Sequence, residues 1–381
     1  MMKRATKLDK PLLIIMLIFI IFGLIMILSA SSMASYMRYH NSIYYYLIRQ
    51  AIFVFIGMIG FLGALYFPTK VYKTVSPFLI VVLILSLFGL TIYGSAFNSS
   101  QSWFNLGFFT IQPSEIGKVI IILYLAYYYN KHKDELDNQL TLLKPIIIVM
   151  IVISFVVMQP DLGTAAVIFG IVLLIFYALP LKRKTRSPIN KIFLGAILLL
   201  GLILVLTGGS LLRDYQLKRF QFLNPCERYE EKTGYQLCNS IIALKNGGLT
   251  GKGIGESTQK YLYLPESHTD FIFPIIVEEW GLIVGLLIIF LYAFILYRIL
   301  RIAKRASSLG NAIIAYGVFA YILFHVAINL IGVINIGPMT GVPLPFLSYG
   351  GSYTITLLFA MGLVQRVHYE TFKKEKNKSN K

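Results

Sequence analysis

Three carboxylates stand close together in the segment PESHTDFIFPIIVEEWG, residues 265–281. Asp270 ends a polar loop and precedes an apolar run, whereas Glu278 and Glu279 lie inside that run. A carboxylate between a polar loop and an apolar wall can act as a general base or hold a divalent cation. The same position suits a helix N-cap, and spacing alone does not separate these interpretations.

The two glutamates are adjacent, so on a helix at most one of them faces any given cavity. An ionisable side chain inside an apolar helix is costly unless it is paired. His325 and Asn329, four residues apart in a later apolar segment, are the hydrogen-bond partners that we expect. We therefore interpret Glu278 and Glu279 as interhelical polar ties rather than as a proton relay.

The segment IQPSEIGK, residues 111–118, is typical of a helix start. It carries Lys118, which we predict to lie within the bilayer. Glu115 and Lys118 are three residues apart and share one helix face. The motif QPDLGT at 159–164 adds Asp161. Because a lysine within the bilayer needs a partner, we expect Lys118 to pair with Asp161 or Glu115. A structural clamp is the favoured role, over direct catalysis.

Apolar helices must position these residues, because the chain of 381 residues is 57% hydrophobic and only 14% charged. That composition excludes an ordinary soluble domain and indicates a membrane protein. Apolar stretches of about 18 residues or more, long enough to span the hydrocarbon core, recur along the sequence. We predict an all-α polytopic membrane protein with a single domain over residues 1–381. Its ten or so predicted transmembrane helices cover roughly 11–30, 47–67, 76–94, 112–129, 143–158, 162–181, 190–212, 271–297, 311–334 and 349–367.

The distribution of Lys and Arg orients these spans. The loops 95–111, 159–161 and 335–348 contain neither residue, so the positive-inside rule places them outside the cell. Both termini are then cytoplasmic, including the basic tail 368–381, which we expect to be disordered. The long loop 213–270, between spans seven and eight, is extracellular. The net charge of +18 reflects juxtamembrane cations near anionic lipid and does not indicate nucleic acid.

Three segments without a helical pattern, 159–164, 213–270 and 335–352, converge on the outer face in this topology. The third includes GPMTGVPLPFLSYGGS, which is too rich in proline and glycine for a lipid-exposed helix. Such a segment must pack inside the protein or line a cavity. The convergence predicts a site at the outer face.

Two further features lie in the loop 213–270. GGLTGKGIGES lacks the residues that a P-loop requires, so we interpret it as a glycine-rich turn that lets the backbone approach a ligand. Cys226 and Cys238 lie where a disulfide is allowed, although their spacing is equally compatible with unpaired thiols.

Several motifs in order resemble the SEDS family, named for shape, elongation, division and sporulation, over about residues 11 to 369. The departures are small and include Pro274, Trp280 and Tyr353. Within the family, the motifs look more like the division branch than the elongation branch. The motifs are SWFNLG, QPSEIGK, QPDLGT, TGYQLCNSIIAL, GGLTGKGIGESTQKYLYLPESHTDFIF, EEWG and GVPLPFLSYGGS.

The resemblance implies a peptidoglycan glycosyltransferase that polymerises lipid II, a disaccharide-pentapeptide on polyprenyl pyrophosphate, at the plasma membrane of the division septum. It implies that Asp270 is the essential aspartate, as general base or as ligand of Mg²⁺ or Mn²⁺, with no organic cofactor. The implied partners are the nascent glycan strand, a class B penicillin-binding protein with transpeptidase activity and other division proteins. Cations must stabilise the leaving pyrophosphate. The candidates are Arg49, Arg213, Arg219, Lys252 and Lys260.

Other functions stay open at this point. An elongation polymerase differs only in its cellular role. A lipid II flippase would depend on intramembrane charges such as Lys118 and Glu278, and a scaffold would only recruit the transpeptidase. Formation of glycan polymer from lipid II separates the enzyme from the last two.

Overall fold

A computed structural model describes most of the chain. The predicted seventh span beyond residue 191, together with Arg213 and Arg219, lies outside the described residues. The structure describes residues 8–38, 42–93, 95–97, 100–105, 107, 110–188, 190–191, 223–261 and 263–379.

Helices form where the sequence is apolar and end at polar or irregular segments. Asp9 caps the first of them, accepting a hydrogen bond from the Leu12 N–H. The helices are α1 Lys10–Met33, α2 Tyr45–Tyr66, α3 Thr69–Tyr93, α4 Pro113–Lys131, α5 Gln139–Met158, α6 Leu162–Ala178, α7 Lys232–Gly247, α8 Ile272–Lys304, α9 Leu309–Val333 and α10 Gly351–Ser379.

Six helices of the described part are long and apolar enough to cross a membrane: α1, α2, α3, α5, α8 and α9. The helix α6 has only 17 residues, and α4 and α10 are less apolar. Much of α4 is buried inside the bundle, where its side chains meet other helices rather than lipid. The chain is therefore a multi-pass membrane protein, whereas ten spans stay a prediction.

The segment predicted as a plain outward loop, 95–111, contains three short strands: β1 Ser95–Phe97, β2 Ser100–Asn105 and β3 Thr110–Ile111. They form an antiparallel sheet in the order β1–β2–β3, with Phe104 paired to Ile111. Strands this short show no alternating pattern in the sequence, which explains why they were not predicted.

The helix α8 is not the single straight span that the sequence predicted. It is interrupted at Gly281, whose φ of 86° lies in the region that favours glycine. Pro274 falls in the first turn and does not break the helix, as expected. The interruption separates a short first part, which carries Glu278 and Glu279, from a second part long enough to span a membrane alone.

The glycine-rich segment 247–257 packs against this interruption. The Lys252 N–H donates to Glu278 O at 2.9 Å, and the Gly253 N–H donates to Glu279 O at 3.1 Å. A Cβ added at Gly251 would lie 2.2 Å from Glu279 O, so only glycine fits there. At Gly251 and Gly253 the close approach is to the backbone of α8, and the predicted approach to a ligand stays a prediction.

Two predicted irregular segments contain regular structure. The loop 213–270 includes α7, and a disulfide between Cys226 and Cys238 joins this helix to the 3₁₀ turn Pro225–Arg228. The tail predicted to be disordered is a continuation of α10 as far as Ser379. The sequence had left the pairing of the cysteines open.

Candidate functional site

The predicted convergence of irregular segments is confirmed at one end of the bundle. The corner before α6 packs against the segment between α9 and α10, since a Cβ at Gly163 would lie 2.8 Å from Thr340 O. The loop before α8 joins the same region through a 2.9 Å hydrogen bond from the Tyr349 N–H to His268 O. We call residues 335–350 the return segment.

Asp270 lies in this region, partly exposed, two residues before α8 begins. The N-cap of α8 is Phe271, and no side chain caps the helix. The N-cap interpretation of Asp270 is therefore wrong. Its Oδ1 accepts a hydrogen bond from Thr269 Oγ1 at 3.0 Å. Its Oδ2 faces Gly341 of the return segment, where an added Cβ would lie 3.8 Å away.

A second carboxylate stands near Asp270. Thr269 Oγ1 lies 3.0 Å from Glu266 Oε2 as well as 3.0 Å from Asp270 Oδ1. Among the described residues, no group of three or more His, Cys, Asp and Glu side chains is placed to hold a metal. Mg²⁺ is commonly bound by one or two carboxylates together with water and substrate phosphates, and Asp270 fits that mode.

Aromatic rings surround His268, which the sequence did not single out. The imidazole is 6% exposed. Its ring centroid lies 4.3 Å from that of Tyr46 and 5.7 Å from that of Tyr349. Burial lowers the pKa of His268 to about 4, so the ring is neutral at pH 7. The only feature of the sequence that could have identified His268 as part of the site is its position two residues before Asp270.

Arg49, a predicted phosphate ligand, lies beside these rings. Its guanidinium carbon is 4.8 Å from the centroid of the Tyr45 ring, and its side chain hydrogen-bonds that of Tyr349. Arg49 is partly exposed. Because Tyr349 contacts His268, the cation stands close to the loop that carries Asp270.

Lys260, another predicted phosphate ligand, has a different environment. Its Nζ lies 2.9 Å from Glu279 Oε1, 3.1 Å from Ser29 Oγ and 2.5 Å from Gly255 O. An ammonium group has three hydrogens, and these three acceptors account for all of them. The residue is 4% exposed. This geometry favours a structural role for Lys260 over contact with substrate.

Lys252 is paired but remains accessible. Its Nζ lies 3.3 Å from Glu278 Oε1 and 3.2 Å from Thr258 Oγ1, with a third of the side chain exposed. Glu278 also accepts from Ser257 Oγ at 2.5 Å and from Asn246 Nδ2 at 3.1 Å. Among the described residues, these contacts use two of the three ammonium hydrogens of Lys252.

The partners predicted for the two glutamates were wrong. Glu278 and Glu279 contact the loop before α8, and Glu279 also contacts α1, whereas His325 and Asn329 contact other groups. The physical reason is the interruption at Gly281, which turns the first part of α8 toward the loop. The expectation that both glutamates hold α8 in place agrees with these contacts.

The predicted pairing of Lys118 with Glu115 is confirmed, whereas the structural clamp that we favour as its role stays a prediction. Lys118 Nζ lies 2.7 Å from Glu115 Oε1 and 3.0 Å from His325 Nε2, and the lysine side chain is fully buried. The clamp therefore joins α4 to α9. Asp161 does not take part in the described contacts of Lys118; it caps α6 at the Thr164 N–H and accepts from Gln112 Nε2 at 2.8 Å.

Comparison with known proteins identifies relatives of the whole chain. Residues 9–373 match the model of the FtsW, RodA and SpoVE family, described as cell cycle proteins. A probable peptidoglycan glycosyltransferase FtsW from Bacillus subtilis (strain 168) is 35% identical over 386 residues, which cover 99% of this chain and 95% of the relative. Stage V sporulation protein E from the same organism is 35% identical, covering 96% and 98%.

Two solved structures share the fold. A chain from a peptidoglycan synthase complex, described as coordinating polymerization and crosslinking, has a TM-score of 0.75 at 23% identity and covers 96% of this chain and 99% of its own. The rod shape determining protein RodA of Thermus thermophilus has a TM-score of 0.66 at 23% identity, with coverage of 96% and 98%. At this identity the likeness concerns the fold alone.

Proposed function

The chain belongs to the family of FtsW, RodA and SpoVE cell cycle proteins, and on this premise we propose that it is a peptidoglycan glycosyltransferase of cell division. Its substrate is lipid II, which it polymerises into glycan strands. We assign the active site to Asp270 because its carboxylate is partly exposed and does not cap a helix.

Asp270 acts as the general base of this reaction. A sugar hydroxyl of the acceptor has a pKa far above neutral, so it attacks the anomeric carbon of the donor only as its proton is removed. The carboxylate takes this proton while the bond between the anomeric carbon and the pyrophosphate oxygen breaks. The absence of a side chain at Gly341, which Oδ2 of Asp270 faces, supports access of a hydroxyl to the base.

The departing pyrophosphate carries negative charge that cations must stabilise. Arg49 and Lys252 are the described candidates that combine a positive charge with partial exposure. A planar guanidinium binds phosphate oxygens in bidentate fashion, which favours Arg49 as the principal ligand. Arg213 and Arg219, outside the described residues, remain proposed contributors.

A divalent cation fits as an addition to this site. Asp270 would be its ligand from the protein, with the substrate pyrophosphate completing the coordination. The cation would supply further stabilisation of charge on the leaving group. The roles of Arg49 and Asp270 described above do not depend on it.

We further propose the cellular setting. The converged segments face the outside of the plasma membrane, both termini are cytoplasmic, and the protein acts at the division septum. A class B penicillin-binding protein is the partner that crosslinks the product. The likeness to a chain from a peptidoglycan synthase complex supports such a partnership.

Incubation of the purified full-length protein with lipid II and its transpeptidase partner tests the proposal. We expect glycan polymers in the wild-type reaction. Translocation of lipid II across vesicle membranes without polymer would instead favour a flippase, and transpeptidase binding without either activity would favour a scaffold. The buried ion pair of Lys118 and Glu115 is compatible with the clamp that we assign to it and does not require transport.

A further inference from the structure

The side-chain amide of Asn329 joins Asp270 to the return segment. Its Nδ2 donates to Asp270 O at 2.7 Å and to Val342 O at 2.8 Å. The amide nitrogen has two hydrogens, and these two carbonyls account for both. Asn329 is 4% exposed; its bond to Val342 is buried and its bond to Asp270 is partly buried.

The sequence explains why the carbonyl of Asp270 needs this donor. Extension of α8 by one residue would require an N–H four positions beyond Asp270, where Pro274 stands. Proline has no N–H to donate. A buried carbonyl without a partner is costly, and Asn329 supplies the donor from α9.

A second bond from α9 holds the next residue of the return segment. His325, one turn before Asn329, has its Nδ1 3.1 Å from Pro343 O and its Nε2 3.0 Å from Lys118 Nζ. A carbonyl only accepts and an ammonium only donates, so Nδ1 carries the hydrogen and Nε2 accepts. The side chains of α9 thus fix both Val342 and Pro343.

These bonds determine what faces the carboxylate of Asp270. Gly341 precedes Val342, and its φ of 72° is strained for any other residue. A Cβ at Gly341 would lie 3.8 Å from Asp270 Oδ2. Since Asn329 binds the main chain on both sides of this contact, displacement of its amide changes the distance between the base and the space that receives the acceptor.

We propose that Asn329 is a positioning residue, which holds the main chain of Asp270 against the return segment so that the carboxylate meets the acceptor hydroxyl. This inference rests on the proposed function. Misplacement of a reacting group by about 1 Å costs on the order of 10²-fold in rate. Substrate binding does not depend on the Asn329 amide directly.

The test compares Asn329→Leu with Asn311→Leu in the full-length protein. Asn311 is a matched control because it is also buried in α9, at 3% exposure, and is also hydrogen-bonded, to Thr69 and Glu370, but at the other end of the helix. Lipid II polymerisation is measured from acid to neutral pH, together with thermal unfolding.

For Asn329→Leu we expect kcat to fall about 10- to 100-fold with KM within about threefold of wild type. We also expect the acid limb of the rate profile to flatten, because a misplaced base no longer controls the residual rate. Asn311→Leu lowers the unfolding temperature but keeps the wild-type shape of the profile. A merely structural role for Asn329 predicts the same outcome for both variants.

The inference is overturned if Asn329→Leu keeps more than a third of the wild-type kcat, or if its rate falls by the same factor at every pH. If Asn329→Leu does not fold, Asn329→Ser, which keeps one donor, is judged by the same profile. If Asp270→Asn loses activity while Asn329→Leu polymerises lipid II at the wild-type rate, this inference is refuted and the proposed function is not. Retained activity in Asp270→Asn would refute the proposed base itself.

Discussion

The ammonium of Lys260 lies 2.9 Å from the carboxylate of Glu279, and neither side chain is more than 5% exposed. This buried pair joins the loop before α8 to the first part of that helix. Ser29 extends it to α1, donating to Glu279 Oε1 at 2.6 Å. The pair stabilises the packing of the loop against the first part of α8, and Asp270 lies in the chain between these two residues.

Replacement of one member of the pair should therefore destabilise the protein. Lys260→Met leaves Glu279 buried without its cation, which typically costs about 3–5 kcal/mol. We expect a lower unfolding temperature in detergent and a lower yield of folded protein. The double variant Lys260→Met/Glu279→Leu should recover much of the loss, because it removes both charges. If Lys260→Met keeps wild-type stability but has a raised KM for lipid II, the structural role is wrong and Lys260 contacts the substrate.

Arg49→Gln should weaken recognition of pyrophosphate. Loss of a charge-assisted contact costs about 1.5–3 kcal/mol, or roughly 10- to 100-fold in affinity. We expect a raised KM for lipid II and weaker inhibition by inorganic pyrophosphate. Arg301→Gln, at an exposed position near the other end of α8, is the control and should leave both values unchanged. Equal inhibition of Arg49→Gln and wild type by pyrophosphate would remove Arg49 from the site.

Lys118→Met should harm folding, because Glu115 and His325 both lose their buried partner. The expected loss of stability is again about 3–5 kcal/mol, measured by unfolding in detergent. Lys118→Met/Glu115→Met should be closer to wild type, since no charge is left unpaired. If Lys118→Met keeps wild-type stability yet makes no glycan, the clamp interpretation is wrong and Lys118 acts in the chemistry.

The site should hold a divalent cation only weakly before substrate binds. Within the part of the chain that the structure describes, Asp270 and Glu266 are not joined by a third acidic, His or Cys side chain placed to hold a metal, and tight sites for hard cations need more oxygen ligands. Titration of Mn²⁺ into the protein without lipid II should show no saturable micromolar site. A single tight site that disappears in Asp270→Asn would contradict this and identify a resident metal.

Local patterns in the sequence predicted part of this arrangement. Glu115 and Lys118 are three residues apart on one helix, so their pairing followed from helix geometry alone. The position of Asp270 at the junction of loop and helix followed from the change in polarity. The content of proline and glycine in the return segment indicated that it packs inside the protein, next to the site.

Contacts between distant residues were beyond these patterns. His325 meets Lys118 across 207 positions of sequence, and Lys260 meets Ser29 across 231. The partners of Glu278 and Glu279 were predicted wrongly because α8 is interrupted at Gly281. The backbone conformation of a glycine in an apolar run cannot be predicted from the sequence pattern. Which cation is buried and which is accessible likewise depends on tertiary packing.

The central claim is that Asp270 removes the acceptor proton. Asp270→Asn keeps the size of the side chain but removes proton acceptance. Because Asp270 does not cap α8, this change should leave the fold and transpeptidase binding intact. General-base catalysis contributes about 10²–10⁴-fold, so polymerisation should fall to near or below detection.

The decisive measurement is the rate at which purified Asp270→Asn polymerises lipid II, relative to wild type, in preparations with equal unfolding temperature and equal binding of the transpeptidase. We predict a rate at least about 100-fold lower than wild type. A folded Asp270→Asn protein that polymerises lipid II at a third of the wild-type rate or faster would contradict the assignment.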